Sequence, residues 1–348
     1  VIDKLLYLTT ANTYPYRNLA IEEFLTLNVK EGECILYLWQ NRHTVVIGKN
    51  QNCWKECKVA ELEKDGGHLV RRLSGGGAVY HDMGNLNFTF CVKEKDYDLG
   101  RQLDVVLHAV KLLGIDASRT GRNDITVGRR KFSGNAFLRI GDRCYHHGTI
   151  MLNVNSGDMG KYLNVDMKKL HSKGVDSVRS RVANLKEFKP DITVAMMRHA
   201  LLNAFSRVYG LPVTKIDEKD LPEKNIALLT VKFESWDWKY GRKIPFNHEI
   251  TERFEWGDVQ MQLHVESGVI RDINLYSDAM AQNMISAFSR SLKGLKYDAG
   301  VMAKAISDTD IIKDDIAPGD NPAEGLMLSS DIIAGMKSDI IALLRKNI

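Results

Sequence analysis

Between residues 259 and 265 the apolar residues Val259, Met261, Leu263 and Val265 alternate strictly with polar ones, Ser267 and Gly268 can turn, and VIRDINLY returns. That pattern predicts a β-hairpin. Nearer the start the period changes repeatedly. The short β-type runs KLLYLTT, ECILYLW and TVVIG are interleaved with two stretches of helical spacing. One, at 18–27, places Ile21, Phe24 and Leu25 on one face; the other, at 54–64, is rich in charge. Both helices are expected to cover a sheet. In LNFTFCV, Leu86, Phe88, Phe90 and Val92 fall on one face of a strand. An amphipathic helix is predicted over 100–113, followed by β-type runs near 123–127, 131–139 and 145–153 with glycine breaks. Helices dominate from Val194 to Tyr240, where the polar, proline-containing GRKIPFNHE at 241–249 interrupts the pattern. We place a domain boundary there, giving units 1–244 and 245–348. The order of elements is α+β, not a regular βαβ repeat, and the smaller unit, ending in IIAGMKSDIIALLRK, is α+β as well. No segment repeats another.

Composition narrows the classes. The 348 residues are 44% apolar and 26% charged with 7 prolines, as in a globular protein. The longest apolar runs fall far short of the roughly 20 residues a membrane span needs, so no membrane partner is expected. VIDKLLYLTT has no basic-then-apolar pattern, and a secretory signal is not expected. Five cysteines, Cys34, Cys53, Cys57, Cys91 and Cys144, form no Cys-x-x-Cys pair. They predict reduced thiols and a cytoplasmic setting. A net charge of +4 without a Lys/Arg stripe argues against a nucleic-acid partner.

The candidate chemistry lies in three clusters. In RRLSGGGAVYHDMGNLNFTF at 71–90 two arginines meet three consecutive glycines. Gly75, Gly76 and Gly77 let backbone N–H groups approach an anion, and Arg72 offers a planar fork for phosphate or carboxylate. A plain glycine-rich turn is the competing reading. The spacing fits neither a Walker loop nor a dinucleotide fingerprint. In GRRKFSGNAF at 128–137, Lys131 stands beside the small Ser133, Gly134 and Ala136; a regular strand would put Lys131, Ser133 and Asn135 on one face. A solvated surface lysine is the alternative. In YHHGTIMLNVN at 145–155 the adjacent histidines point to opposite faces of a strand, which excludes a His-His zinc site; Cys53 and Cys57 likewise lack histidine partners for zinc.

Together with YLWQN at 37–41, VVIGKNQNCWKEC at 45–57, GRND at 121–124 and SVRSRVANL at 177–185, these clusters resemble the bacterial lipoate-protein ligase A family, within the biotin and lipoate ligase superfamily. The resemblance spans nearly the whole chain. It implies a large mixed-sheet α+β catalytic domain, class II synthetase-like, with a small C-terminal α+β domain. It also implies activation of lipoate by ATP to lipoyl-AMP, then transfer to a lysine of an apo lipoyl domain of a 2-oxoacid dehydrogenase acyltransferase subunit or of the glycine cleavage H protein. Lys131 is then the catalytic residue, between the lipoyl carboxyl and the α-phosphate. Arg72, Gly77, Ala78, Val79, Tyr80, Asn85, Lys131 and Arg179 correspond to the nucleotide side. The lipoate side comprises Trp39, Arg72, Ser74, Gly75, Gly76, His81, Lys131, Ser133, Gly134, Ala136, His147, Gly148 and Thr149. Asn123 and Asp124 correspond to a Mg²⁺ site. Trp39 in a plain core and Arg179 as a solvated charge stay open as alternatives. The stretch from Asp124 to Lys131 is shorter than in the enterobacterial ligase, implying a tighter hairpin. Two further readings remain: an octanoyl- or lipoyl-transferase that needs no ATP, and a non-catalytic lipoate-binding module.

Overall fold

A computed structural model describes residues 1–120, 124–164, 182–312 and 329–348. Its strands are β1 Lys4–Thr9, β2 Glu33–Trp39, β3 Thr44–Ile47, β4 His68–Arg71, β5 Val79–His81, β6 Asn85–Lys93, β7 Ser118–Thr120, β8 Asp124–Val127, β9 Arg130–Ile140, β10 Arg143–Met151, β11 Val213–Lys215, β12 His248–Phe254, β13 Gly257–Glu266 and β14 Val269–Tyr276. Eight of them form a mixed sheet in the order β11-β1-β2-β6-β10-β9-β8-β7, parallel at β11-β1-β2 and antiparallel beyond. A small sheet β4-β3-β5 stands beside it, and β12-β13-β14 form an antiparallel meander.

The central strand β6 is buried on both faces. Leu86, Phe88, Phe90 and Val92 share one face, as their spacing predicts, and pack with Val105, Val106 and Val110 of helix Leu99–Leu112 and Leu201 and Phe205 of helix Val194–Tyr209. The opposite face carries polar Asn85, Asn87 and Thr89, all buried too. Helix Pro15–Asn28 covers that side of the sheet with Leu19, Ala20, Ile21 and Leu25. The residues from 250 to 344 have a core of their own, in which Met261, Leu263 and Ile273 of the meander meet Met284, Ile285 and Phe288 of helix Gln282–Leu292.

Three expectations need correction. The helix predicted over 54–64 is two short ones, Cys53–Glu56 and Val59–Lys64, because Cys57 turns extended and bridges to Leu163. The helical region 194–240 is interrupted by β11, a three-residue strand that completes the sheet edge beside β1. Lys131, Ser133 and Asn135 do not share a face. Ile125 pairs with Ser133 but Thr126 with Lys131, so Phe132 is an extra residue in β9. Such a bulge reverses the facing of what precedes it. The turn of this hairpin is short: Val127 pairs with Arg130, leaving Gly128 and Arg129 between them, with Gly128 at φ +60°.

Candidate functional site

The polar face of β6 lies beneath a cavity of about 360 Å³ and reaches it through Asn87. Strand register builds the cavity floor in rows. Trp39 of β2, Asn87 of β6 and Thr149 of β10 lie side by side, and one row inward come Tyr37, Thr89, His147 and Ala136. The glycine-rich segment after β4 forms another wall through Gly76, Gly77 and Ala78, with Val79 and His81 of β5 beside them.

Buried polar groups along this floor are chained together. Trp39 Nε1 donates to Thr89 Oγ1 at 3.2 Å, and that hydroxyl donates to Glu22 Oε1 at 2.7 Å. Glu22, 1% exposed, also faces His147 Nδ1 at 2.8 Å. A carboxylate only accepts, so His147 Nδ1 carries a proton, while Nε2 is hydrogen-bonded to Ser74 Oγ at 2.9 Å. Ser74 Oγ in turn accepts from Arg72 Nε at 3.1 Å. The remaining Arg72 donors reach Gly75 O, Gly77 O and Val46 O at 2.6, 2.8 and 3.3 Å. The fork suggested for an anion thus clasps the glycine loop, and burial pulls its guanidinium down to about 10.

His81 accepts at Nδ1 from Asn41 Nδ2 at 3.3 Å, which leaves its proton on Nε2, a buried atom with no partner among the described residues. Burial, with the Arg72 charge and His147 nearby, brings His81 down to about 3, so it is neutral. At the other end of the floor Lys131 Nζ lies 2.6 Å from Asp124 Oδ1. The bulge at Phe132 turns Lys131 to the side of Gly134, where an added Cβ would sit 2.8 Å from Nζ. Asn135 Oδ1 instead faces His146 Nε2 at 3.0 Å, and Ser133 is fully buried.

The structure therefore brings Trp39, Arg72, Gly76, Gly77, Ala78, Val79, His81, Asp124, Lys131, Gly134, Ala136, His147, Gly148 and Thr149 to one cavity. Ser74, Gly75, Tyr80, Asn85 and Ser133 do not line it, although Ser74 and Asn85 hydrogen-bond lining residues. Asn123 and Arg179 lie outside the described residues. Gly75 has another use: an added Cβ would stand 2.4 Å from Ala279 O and 3.0 Å from Met280 Cα, so its small size admits the C-terminal unit. Motif reading missed Asn87 and the wall supplied from beyond residue 244 by Arg253, Trp256, Asp278 and Met280. For Asn87 a signal existed, the polar-apolar alternation of a strand in mid-sheet; for the distant wall no local pattern points to the site. All five cysteines are free and buried, none lines the cavity, and burial pushes Cys34 and Cys57 up to about 12.

A partly apolar cavity with an ion-paired lysine in its lining suits a chain-like acid whose carboxylate needs a counter-charge. Comparison with known proteins agrees. Residues 14–206 match the lipoyl protein ligase A/B catalytic domain, and residues 243–324 match the bacterial lipoate protein ligase C-terminus. A lipoate-protein ligase A of Psychrobacter cryohalolentis is 42% identical over 303 residues, covering 85% of this chain and 89% of the relative. LipL1 of P. falciparum, solved in complex with lipoate, superposes with a TM-score of 0.81 at 29% identity, covering 97% of this chain and 99% of that one. A lipoate-protein ligase A bound with ATP superposes with a TM-score of 0.60 at 27% identity, covering 69% of this chain and 99% of that one. The chain belongs to the lipoate-protein ligase A family.

Proposed function

We propose that the protein joins lipoate to protein lysines in two steps that share this cavity. A lipoate carboxylate oxygen attacks the α-phosphorus of ATP; the new P–O bond gives lipoyl-AMP, and the bond to pyrophosphate breaks. The amine of an acceptor lysine then attacks the acyl carbon, the C–O bond to AMP breaks, and an amide remains after loss of a proton. Both reactants of the first step are anionic, so catalysis is a matter of positioning and charge. The observation that carries this reading is Lys131, an ammonium paired with Asp124 in a cavity that also has apolar lining from Leu19, Val46 and Ala136. Placed between carboxylate and α-phosphate, it offsets their repulsion. Gly77 of the clasped loop, with Ala78 and Val79 following it, is the nucleotide side, to which Tyr80, Asn85 and Arg179 belong in this reading, while Gly75 and Gly76 belong to the lipoate side. Trp39, His81, Ala136 and His147 surround the acyl chain. The chains superposed above, one holding lipoate and the other ATP, support the same pair of ligands here.

Mg²⁺ prefers oxygen ligands and is commonly held by one or two carboxylates together with substrate phosphates. Asp124 fits such a site: its carboxylate lines the cavity and its side chain is about one-third exposed. Asp124, with Asn123 beside it in sequence, would hold the ion, which neutralises phosphate charge when bound. The proposed acceptors are apo lipoyl domains of 2-oxoacid dehydrogenases and the glycine cleavage H protein. The proposed units are 1–244, carrying catalysis, and 245–348, an accessory wall of the cavity. No helix among the described residues is long and apolar enough to cross a membrane, and a cytoplasmic place is proposed. A thioester-forming transferase is less well supported, since no cysteine lines the cavity.

The test is pyrophosphate release with ATP, Mg²⁺ and lipoate, alongside the mass of a purified apo lipoyl domain. Lipoate-dependent pyrophosphate and a lipoylated lysine are expected. Modification only when an acyl carrier replaces ATP and lipoate would favour a transferase.

A further inference from the structure

A buried donor on the cavity floor has no partner among the described residues. Asn87 is 2% exposed and lines the cavity; its Oδ1 accepts from Asn85 Nδ2 at 2.9 Å, and its Nδ2 has no hydrogen-bond partner among the described residues. An unpaired amide donor this deep is costly unless something else accepts its hydrogen. Its row in the sheet says what. Asn87 pairs with Trp39 on one side and Thr149 on the other. Thr149 Oγ1 accepts from Gly134 N at 3.3 Å, and Gly134 abuts the Lys131 ammonium. Strands are spaced about 4.8 Å apart, so Asn87 and Gly134 stand about 10 Å from each other. A carboxyl group lying over Thr149 is then flanked by the Asn87 amide on one side and the Lys131 ammonium on the other. An apolar chain on that carboxyl would then meet Ala136 and Leu19, which line the same cavity.

Resting on the ligase reading, we propose that Asn87 Nδ2 donates to the acyl carbonyl oxygen and stabilises the negative charge that builds there when the acceptor lysine attacks. The two steps load this oxygen oppositely. In adenylation the carboxylate gives up charge; in transfer the carbonyl oxygen gains it as the tetrahedral adduct forms. A donor at this atom therefore favours the transfer transition state over the adenylation one.

The experiment is single-turnover transfer from enzyme-bound lipoyl-AMP to a purified apo lipoyl domain, beside lipoate-dependent ATP–pyrophosphate exchange, for the unaltered protein and Asn87→Leu. Leucine removes the donor at similar volume. Transfer is expected to fall by about 100-fold, the usual effect of losing one oxyanion donor, with exchange reduced less than about tenfold. If leucine prevents folding, Asn87→Ala removes the donor without bulk and the same split is expected. Equal losses in both reactions, or transfer within threefold of the unaltered protein in a folded variant, would overturn the assignment of Asn87. Failure of the unaltered protein to form lipoyl-AMP overturns the ligase reading itself, an outcome read before any variant is compared.

Discussion

Lys131 and Asp124 form an ion pair whose side chains are each about one-third exposed, which lets substrate anions compete for the lysine. Lys131→Ala should leave the fold intact, because so solvent-accessible a pair contributes little to stability. It should reduce lipoyl-AMP formation by at least about 100-fold, as losing a charge-stabilising group does. Near-normal adenylate production in that variant would refute the role. A different behaviour is expected of two buried histidines. His81 and His146 are held neutral, each brought down to about 3, chiefly by burial. In the unfolded chain they titrate near the ordinary value of about 6.5. Below that pH the unfolded state binds more protons than the folded one, so stability is full above about 6.5 and is lost progressively as pH falls toward about 3. Melting temperatures should therefore drop between pH 7 and 4. His146→Phe, placed against Phe88 and Phe90, should flatten that slope. An unchanged slope would show that other groups set the acid limb.

At the scale of elements, the glycine loop and the C-terminal unit touch main chain to main chain. Gly75→Ala should cost about 1–3 kcal/mol by overpacking, since the methyl meets Ala279 O and Met280 Cα, neither of which can rotate aside. Hydrogen exchange over 277–283 should rise with it. Gly160, exposed in helix Ser156–Tyr162 with open space around its Cα, is the contrast: Gly160→Ala should stabilise by up to about 1 kcal/mol. Unfolding in urea distinguishes the two. Much of this level is readable in the sequence. The periods of 86–92 and 99–112 mark the apolar faces that meet each other in the core, a local property. The bulge at Phe132 is not readable, because it arises where β8 meets β9 in a shifted register. Counting alternate residues through Lys131, Ser133 and Asn135 therefore gave the wrong companions for the lysine.

At the scale of the molecule, the cavity is assembled from distant pieces. The cores on either face of the large sheet and around β3-β4-β5 draw their fully buried members only from residues before 245. The 1–244 fragment is expected to fold, with a cooperative melt by circular dichroism. Yet it lacks the wall of Arg253, Trp256, Asp278 and Met280, and lipoate-dependent pyrophosphate exchange should fall at least tenfold (an effect of about 1.4 kcal/mol or more). Full exchange by the fragment would show that wall to be dispensable. The motifs marked the floor and the glycine loop, since their chemistry is local; they were silent on this wall, whose residues carry no shared pattern and meet the site only through the fold. The burial of all five cysteines has a further consequence for the cargo. Lipoate carries a strained cyclic disulfide, open to attack by any thiolate within reach. Here every thiol is enclosed, and burial raises Cys34, Cys53, Cys57 and Cys91 above their ordinary range. The protein can therefore hold its dithiolane without opening the ring or becoming trapped in a mixed disulfide, and it delivers the cofactor with its redox state unspent.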